Sequence, residues 1–188
     1  MAIETDSGGA GSGTVIAHTH RNAWVLTCAH VVGKSKRCEV LFYEEIEEET
    51  SKTIKRVNAV VELAAPEVDL ALLRVSKKIL SPIDIAEEEP DFYEHLFVMG
   101  APDGLWGTAD RALLTSKDRR NGDRDDYQYT GLAVPGMSGG TLANLEGELV
   151  GVISMVKTDS HLPIWNIGFA VPLPIVKAFI PEKLKKDA

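Results

Sequence analysis

Three side chains that could together cleave an acyl bond follow one another along the chain as His30, Asp69 and Ser138. A serine hydroxyl becomes a nucleophile when an imidazole accepts its proton, and a carboxylate on the other ring nitrogen fixes the tautomer. Each residue alone is a weak signal. Their order and the gaps of 39 (30 to 69) and 69 (69 to 138) residues favour one fold with two halves, the histidine and aspartate on the first and the serine on the second.

The segments around the first two residues suit these roles. His30 follows the apolar segment 24–29, and a general base must be held rigidly at the end of a strand with its ring in a cleft. Asp69 opens the strongly apolar run 70–75, where an unpartnered carboxylate would be costly to bury. We therefore expect Asp69 to serve a polar partner.

Ser138 lies in a glycine-rich turn with the sequence Pro-Gly-Met-Ser-Gly-Gly. Glycines at positions 136, 139 and 140 allow positive φ and a close approach of substrate. The amides of Gly136 and Ser138 are the expected donors to an oxyanion. Taken alone, the motif is equally compatible with a structural turn.

Strand-length apolar segments bounded by turn residues dominate the chain and must position these side chains. They cover residues 14–17, 23–28, 39–43, 56–63, 70–75, 95–99, 112–116, 126–130, 140–144, 149–156 and 167–171. Only 172–180 has a helical pattern, with Ile175, Val176 and Phe179 on one face. Many short strands and one terminal helix predict an all-β, closed antiparallel architecture.

Composition limits the function classes. The 188 residues favour one domain, and the glycine- and serine-rich residues 1–12 are predicted to be a flexible N-terminal segment. A net charge of −8 disfavours nucleic-acid binding, and no apolar run is long enough to span a membrane. Two cysteines exclude a disulfide scaffold. The N-terminus lacks a signal peptide, which predicts a cytoplasmic protein unless a leader has been removed.

Two other clusters could bind metal. The acidic stretch 44–49 is interpreted as a solvated loop, with a calcium site as the open alternative. His18 and His20 share one face of a strand, but no further ligand is evident, so exposed hairpin residues are the favoured interpretation. The sequence predicts no metal site and no cofactor.

Six segments together resemble the trypsin-like serine peptidases, and among them the HtrA/Deg branch. They are 11–16 (GSGTVI), 26–32 (LTCAHVV), 68–73 (VDLALL), 98–102 (VMGAP), 135–140 (PGMSGG) and 168–172 (GFAVP). The resemblance implies a peptidase domain over 13–188. Its fold would be two perpendicular six-stranded β-barrels dividing at roughly 80–95, with the site in the cleft between them. It makes His30 the base, Asp69 its orienter, Ser138 the nucleophile, and Gly136 and Ser138 the oxyanion hole.

The chain departs from the family in places. Met137 stands where secreted trypsins have an aspartate that pairs with a freed N-terminus, so activation by zymogen cleavage is not expected. The branch usually carries C-terminal PDZ domains, for which this chain leaves no room. By resemblance, the primary specificity pocket is formed by Leu132, Ala133, Val134, Ser154, Met155 and Val156. An apolar lining without a charged floor predicts a small or medium apolar P1 residue.

The leading interpretation is a serine endopeptidase that acts on proteins or peptides through an acyl-enzyme. One alternative is a catalytically weak or inactive relative that binds peptides in the same cleft. The other is a viral polyprotein-processing peptidase. The oligomeric state is left open.

Overall fold

A computed structural model describes residues 1–6, 8–45, 52–76, 81–121, 123–154 and 166–185. The strands are β1 (Ala2–Glu4), β2 (Ala10–Ser12), β3 (Thr14–His18), β4 (Ala23–Thr27), β5 (Arg37–Glu45), β6 (Lys52–Ala65), β7 (Leu70–Val75), β8 (His95–Gly100), β9 (Thr108–Asn121), β10 (Arg124–Thr130), β11 (Thr141–Ala143), β12 (Leu149–Ile153) and β13 (Ile167–Pro172). The helices are α1 (Ala29–Val32), α2 (Leu173–Phe179) and α3 (Glu182–Lys185), with a 3-10 turn at Pro102–Gly104.

The first half of the chain forms a seven-stranded antiparallel sheet in the order β2-β1-β5-β6-β7-β4-β3. Strand β7 is its most apolar strand, with Leu70, Ala71, Leu72 and Leu73 all buried. It lies between β6 and β4, so it is covered by hydrogen bonds on both edges. The sheet curves into a half-barrel, whereas the sequence implied a six-stranded barrel.

The second half forms a closed six-stranded barrel in the order β10-β13-β12-β11-β8-β9. Neighbouring strands pair antiparallel throughout, and β9 closes the barrel on β10. Each of the eleven predicted strand segments overlaps one of the strands β3 to β13, although residues 155 and 156 of the segment 149–156 lie outside the described residues. The predicted fold class, all-β with two barrel-like halves and a short C-terminal helix, is confirmed.

Residues 1–12 differ from the flexible segment that their composition suggested. Strand β1 pairs with both β2 and β5, which raises the first sheet to seven strands. Ile3 is fully buried in the first core. Glycine fits in β2 because a Cβ at Gly11 would lie 2.8 Å from the Ser138 carbonyl oxygen and 2.6 Å from a methyl group of Val31.

One large hydrophobic core fills each half of the described chain, and the chain end joins the two. The core of the first half includes Val176, Ile180 and Leu184, which follow one another at a spacing of four residues. Leu173, at the start of α2, belongs instead to the core of the second barrel. The terminal helices thus pack one half against the other. None of the helices in the described part of the chain is long and apolar enough to cross a membrane.

Candidate active site

His30 is held by the single helical turn α1, directly after β4. Val31 and Val32 are buried in the first core and anchor the turn. Gly33 ends it with a φ of 55°, and its amide donates to the Ala29 carbonyl at 2.8 Å. The His30 side chain is 47% exposed, so a rigid backbone presents an accessible imidazole.

Asp69 sits at the end of a tight turn before β7, in the left-handed region with a φ of 55°. Aspartate tolerates this conformation better than most residues. The His30 amide donates to Asp69 Oδ1 at 3.0 Å, and His30 Nδ1 lies 2.9 Å from each carboxylate oxygen. Since an ionised carboxylate only accepts hydrogen bonds, Nδ1 carries a proton, and in the neutral imidazole Nε2 is then the acceptor.

The Asp69 carboxylate also accepts a hydrogen bond from the second half of the molecule. Ser154, just after β12, donates its hydroxyl to Asp69 Oδ2 at 2.6 Å. Burial raises the pKa of Asp69, but hydrogen bonds from the His30 ring and Ser154, attraction to His30 and the His30 amide outweigh it. The pKa of Asp69 therefore lies below its ordinary value, and the group is ionised at neutral pH.

The loop that carries Ser138 is pressed against the first sheet. The Ser12 amide donates to the Ser138 carbonyl at 2.7 Å. Gly139 has a φ of 85°, and a Cβ there would lie 2.2 Å from both the Ser12 carbonyl and Thr27 Oγ1, and 3.1 Å from the Cys28 nitrogen. Only glycine permits this approach. Since Cys28 is two residues from His30, the contact places the Ser138 turn against the segment that leads into His30.

The backbone at the predicted oxyanion hole is fixed by Ser12 as well. Ser12 is fully buried, and its Oγ donates to the Gly136 carbonyl at 2.6 Å while accepting the Ala101 amide at 2.9 Å. The carbonyls of Gly136 and Ser138 are thus both held by one residue. Between them, Met137 is fully buried in the core of the second barrel. Where secreted trypsins use an ion pair, an apolar anchor holds the loop here.

The predicted specificity pocket is only partly covered by the structure. Ala133 is buried, and Leu132 and Val134 pack partly exposed against the core of the second barrel. Met155 and Val156 lie outside the described residues. Ser154 is described, and its hydroxyl is directed to Asp69. The pocket stays a prediction.

A set of possible metal ligands coincides with this site. Donor atoms of Cys28, His30 and Asp69 lie within 4.8 Å of one another. The Cys28 thiol donates to the Ile153 carbonyl at 3.2 Å. Burial, and then the nearby Asp69 carboxylate, raise the pKa of Cys28 well above its ordinary value, so it stays protonated. In this structure the Cys28 thiol hydrogen-bonds to Ile153, and the His30 ring hydrogen-bonds to Asp69.

The two other candidate metal clusters are the pair His18 and His20 and the acidic stretch 44–49. Nδ1 of His18 is buried without a hydrogen-bond partner among the residues that the structure describes, and His20 is exposed. Most of the acidic stretch, 46–49, lies outside the described residues.

Sequence reasoning missed two parts of the site. Ser12 was recognised only within a glycine-serine motif, without its contacts to the Ser138 loop. Arg124, near Ser154 and Asp69, was not singled out at all. The only available signal was its place beside Asp126 at the start of a strand, which is common on protein surfaces.

Comparison with known proteins decides the family. The family model described as the trypsin-like peptidase domain matches residues 11–152. The chain belongs to this family. Its curated relatives include human serine protease HTRA4, which is 28% identical over 182 residues, covering 92% of this chain and 34% of the relative. A probable periplasmic serine endoprotease, DegP-like, from Ectopseudomonas mendocina is 32% identical, covering 94% of this chain and 35% of the relative.

The chain is also similar to a solved protease structure. The active form of the Rv3671c protease from M. tuberculosis has a TM-score of 0.76 at 26% identity, covering 94% of this chain and 77% of that chain. The chain spans about a third of the length of the two curated relatives described above. The family that is shown is thus the trypsin-like peptidase domain, and the relatives that the chain resembles are named as HTRA and DegP-like serine proteases.

Proposed function

We propose that this domain is an active serine endopeptidase that cleaves proteins or peptides through a covalent acyl-enzyme. The observation that carries the proposal is the His30–Asp69 pair, with Nδ1 2.9 Å from both carboxylate oxygens, next to the loop that holds Ser138. The names of the relatives, serine proteases of human and bacterial origin, support the same chemistry.

The mechanism assigns one task to each group. His30 Nε2 accepts the Ser138 proton while Ser138 Oγ attacks the peptide carbonyl, and Asp69 stabilises the imidazolium that forms. The Gly136 and Ser138 amides donate to the oxyanion of the tetrahedral intermediate. The imidazolium then protonates the leaving amine, and water activated by the same ring hydrolyses the acyl-enzyme.

The proposed substrate preference is a small or medium apolar P1 side chain. Leu132, Ala133 and Val134 offer no charged group, and Val156 is assigned to the pocket mouth by resemblance. A buried lysine or arginine without a partner would cost several kcal/mol.

Replacing the nucleophile tests the activity. We expect Ser138→Ala to lower casein hydrolysis by about 10⁴-fold or more, since the acyl-enzyme cannot form. Casein turnover and circular dichroism of Ser138→Ala are compared with those of the exposed-serine control Ser81→Ala, which should retain full activity. Equal activity of Ser138→Ala and wild type would overturn the assignment. A folded but inactive wild type that binds peptides would indicate the non-catalytic alternative.

Matched peptides that differ only at P1 test the pocket. We expect kcat/KM for P1 Val, Ala or Leu to exceed that for Lys or Arg by about a hundredfold, which corresponds to roughly 2.7 kcal/mol. The measurement is the initial rate of cleavage for each peptide with the same enzyme preparation. Faster cleavage after Lys or Arg would show that another set of residues forms the pocket.

A further inference from the structure

A nearly buried ion pair lies in the second barrel behind the His30–Asp69 pair. Arg124, the first residue of β10, donates through Nε to Asp126 Oδ1 at 2.6 Å and through Nη2 to Asp126 Oδ2 at 3.2 Å. The side chain of Arg124 is 13% exposed and that of Asp126 is fully buried. Buried ion pairs add little net stability compared with apolar residues of the same size. We therefore looked for a functional role of the Arg124–Asp126 pair in its position.

The same guanidinium reaches the site. Arg124 Nη2 lies 3.3 Å from Ser154 Oγ and 4.0 Å from Asp69 Oδ2. A continuous polar chain therefore runs from Asp126 through Arg124 and Ser154 to Asp69, across the contact between the two halves.

The chemistry of the donors fixes the direction of this chain. A guanidinium carries only N–H donors, so its contact with Ser154 occupies a lone pair of the hydroxyl oxygen. The Ser154 proton is then available only to Asp69, to which the hydroxyl donates at 2.6 Å. A cation at 4.0 Å also favours the ionised form of Asp69.

We infer that Arg124 is a positioning residue for the His30–Asp69 pair. Held in place by Asp126, it orients the Ser154 hydroxyl and sets the electrostatic potential at the carboxylate that the imidazole faces. The inference rests on the proposed peptidase mechanism for its effect on rate. Its effect on the titration of the imidazole does not depend on catalysis.

The sign of that effect follows from the surrounding charges. Within the described ranges, Asp69 is faced by His30 and Cys28 from the first half and by Arg124 from β10, with Asp126 behind Arg124. Cys28 is a neutral thiol at working pH. Removing the Arg124 charge takes away a repulsive neighbour of the imidazolium, so His30 should hold its proton to higher pH.

The test compares Arg124→Gln with Arg120→Gln, which removes an equal charge from an exposed pair on β9. We expect R124Q to lower kcat/KM about tenfold with little change in KM, and to move the acid limb of the kcat/KM profile up by about half a pH unit. The midpoint of the His30 ring titration, followed by NMR and assigned with His30→Gln, should move in the same direction. R124K should restore the midpoint, and R120Q should leave both quantities unchanged.

R124Q could misfold because it removes the ion pair between Arg124 and the fully buried Asp126. The double variant R124Q/D126N keeps neutral groups that can hydrogen-bond, and it should show a smaller shift of the same sign. An unmoved titration midpoint in the folded variant would overturn the inference. A moved midpoint in a protein that hydrolyses no peptide would instead overturn the proposed function.

Discussion

Asp69 combines an unusual backbone conformation with a crowded carboxylate. Its φ of 55° is forced by the turn before β7, and the carboxylate then meets the His30 ring, the His30 amide and the Ser154 hydroxyl. Two of these donors come from α1 and one from the end of β12. Asp69 therefore joins the two halves of the molecule as well as fixing the tautomer of the imidazole.

Replacing Asp69 by asparagine removes the negative charge of the side chain but keeps its shape. Asp69→Asn should lower kcat by about 10⁴-fold, because an amide that donates to Nδ1 leaves the proton on Nε2. The lowered folded-state pKa of Asp69 means that its charge stabilises the fold above the unfolded-state pKa of about 3.9. That stabilisation is lost as pH falls through the folded-state value.

Urea unfolding at neutral and acidic pH measures the second effect. The loss of stability on acidification should be smaller in Asp69→Asn than in wild type, because the variant has no carboxylate to protonate. The exposed control Asp91→Asn should behave like wild type. An identical pH dependence in all three proteins would contradict the role given to the Asp69 charge.

The sequence identified the candidate triad residues, but it did not identify the residues that contact them. His30, Asp69 and Ser138 can be recognised from the sequence because each stands in a distinctive apolar or glycine-rich context. Ser154 and Arg124 are polar residues in ordinary contexts. Their contacts depend on how β10 and β12 meet the first half, which no local pattern specifies.

Strand β2 is only three residues long, but it fixes the backbone of the loop that carries Ser138. Its last residue, Ser12, holds the carbonyls of Gly136 and Ser138 from both sides of Met137, and β4 supports it through the Thr27 hydroxyl at 2.7 Å from the Ser12 carbonyl. The peptide between Met137 and Ser138, which carries one proposed oxyanion donor, therefore has little freedom to rotate.

Removing the Ser12 hydroxyl should weaken transition-state stabilisation more than substrate binding. We expect Ser12→Ala to lower kcat about tenfold or more with KM nearly constant, and to lower the unfolding free energy by about 1–3 kcal/mol. Steady-state kinetics and urea unfolding check both numbers. The control is Thr14→Ala, which removes another buried hydroxyl between the halves, 2.6 Å from Thr141 Oγ1, but away from the loop. Equal kcat in both variants would exclude the proposed role of Ser12.

The elements themselves were largely predictable. Strands β3 to β13 have runs of apolar and β-branched residues long enough to be recognised, and α2 has a clear apolar face. Strands β1 and β2 were missed because they lie in a glycine- and serine-rich segment, and glycine and serine usually indicate a loop. Their pairing is decided by contacts with β5 and the Ser138 loop, far away in sequence.

We expect the whole molecule to unfold as one unit, because the core of the first half also contains residues of the second half. Leu149, Val152 and Val171 from the second half belong to the core of the first, together with Val176 and Ile180. Each half therefore lacks part of its apolar packing when the other is absent.

A cavity in the packing of the C-terminal segment should lower the stability of both halves. We expect Ile180→Ala to lower the unfolding free energy by about 2–5 kcal/mol while unfolding remains a single transition. Urea unfolding followed by far-UV circular dichroism and by tryptophan fluorescence should give coincident curves. Lys183→Ala, an exposed neighbour, should have no measurable effect. Two separate transitions would show that the halves are independent.

The packing of α2 and α3 on the first sheet also affects how the protein can fold during synthesis. A ribosome releases the N-terminal half first, yet that half receives Val176, Ile180 and Leu184 only from the end of the described chain. Its sheet can pair early, but its core stays incomplete until residues 173–184 have left the exit tunnel. The cleft between the halves is then completed only after translation of this domain, so we expect the proposed peptidase activity to appear after synthesis and not during it.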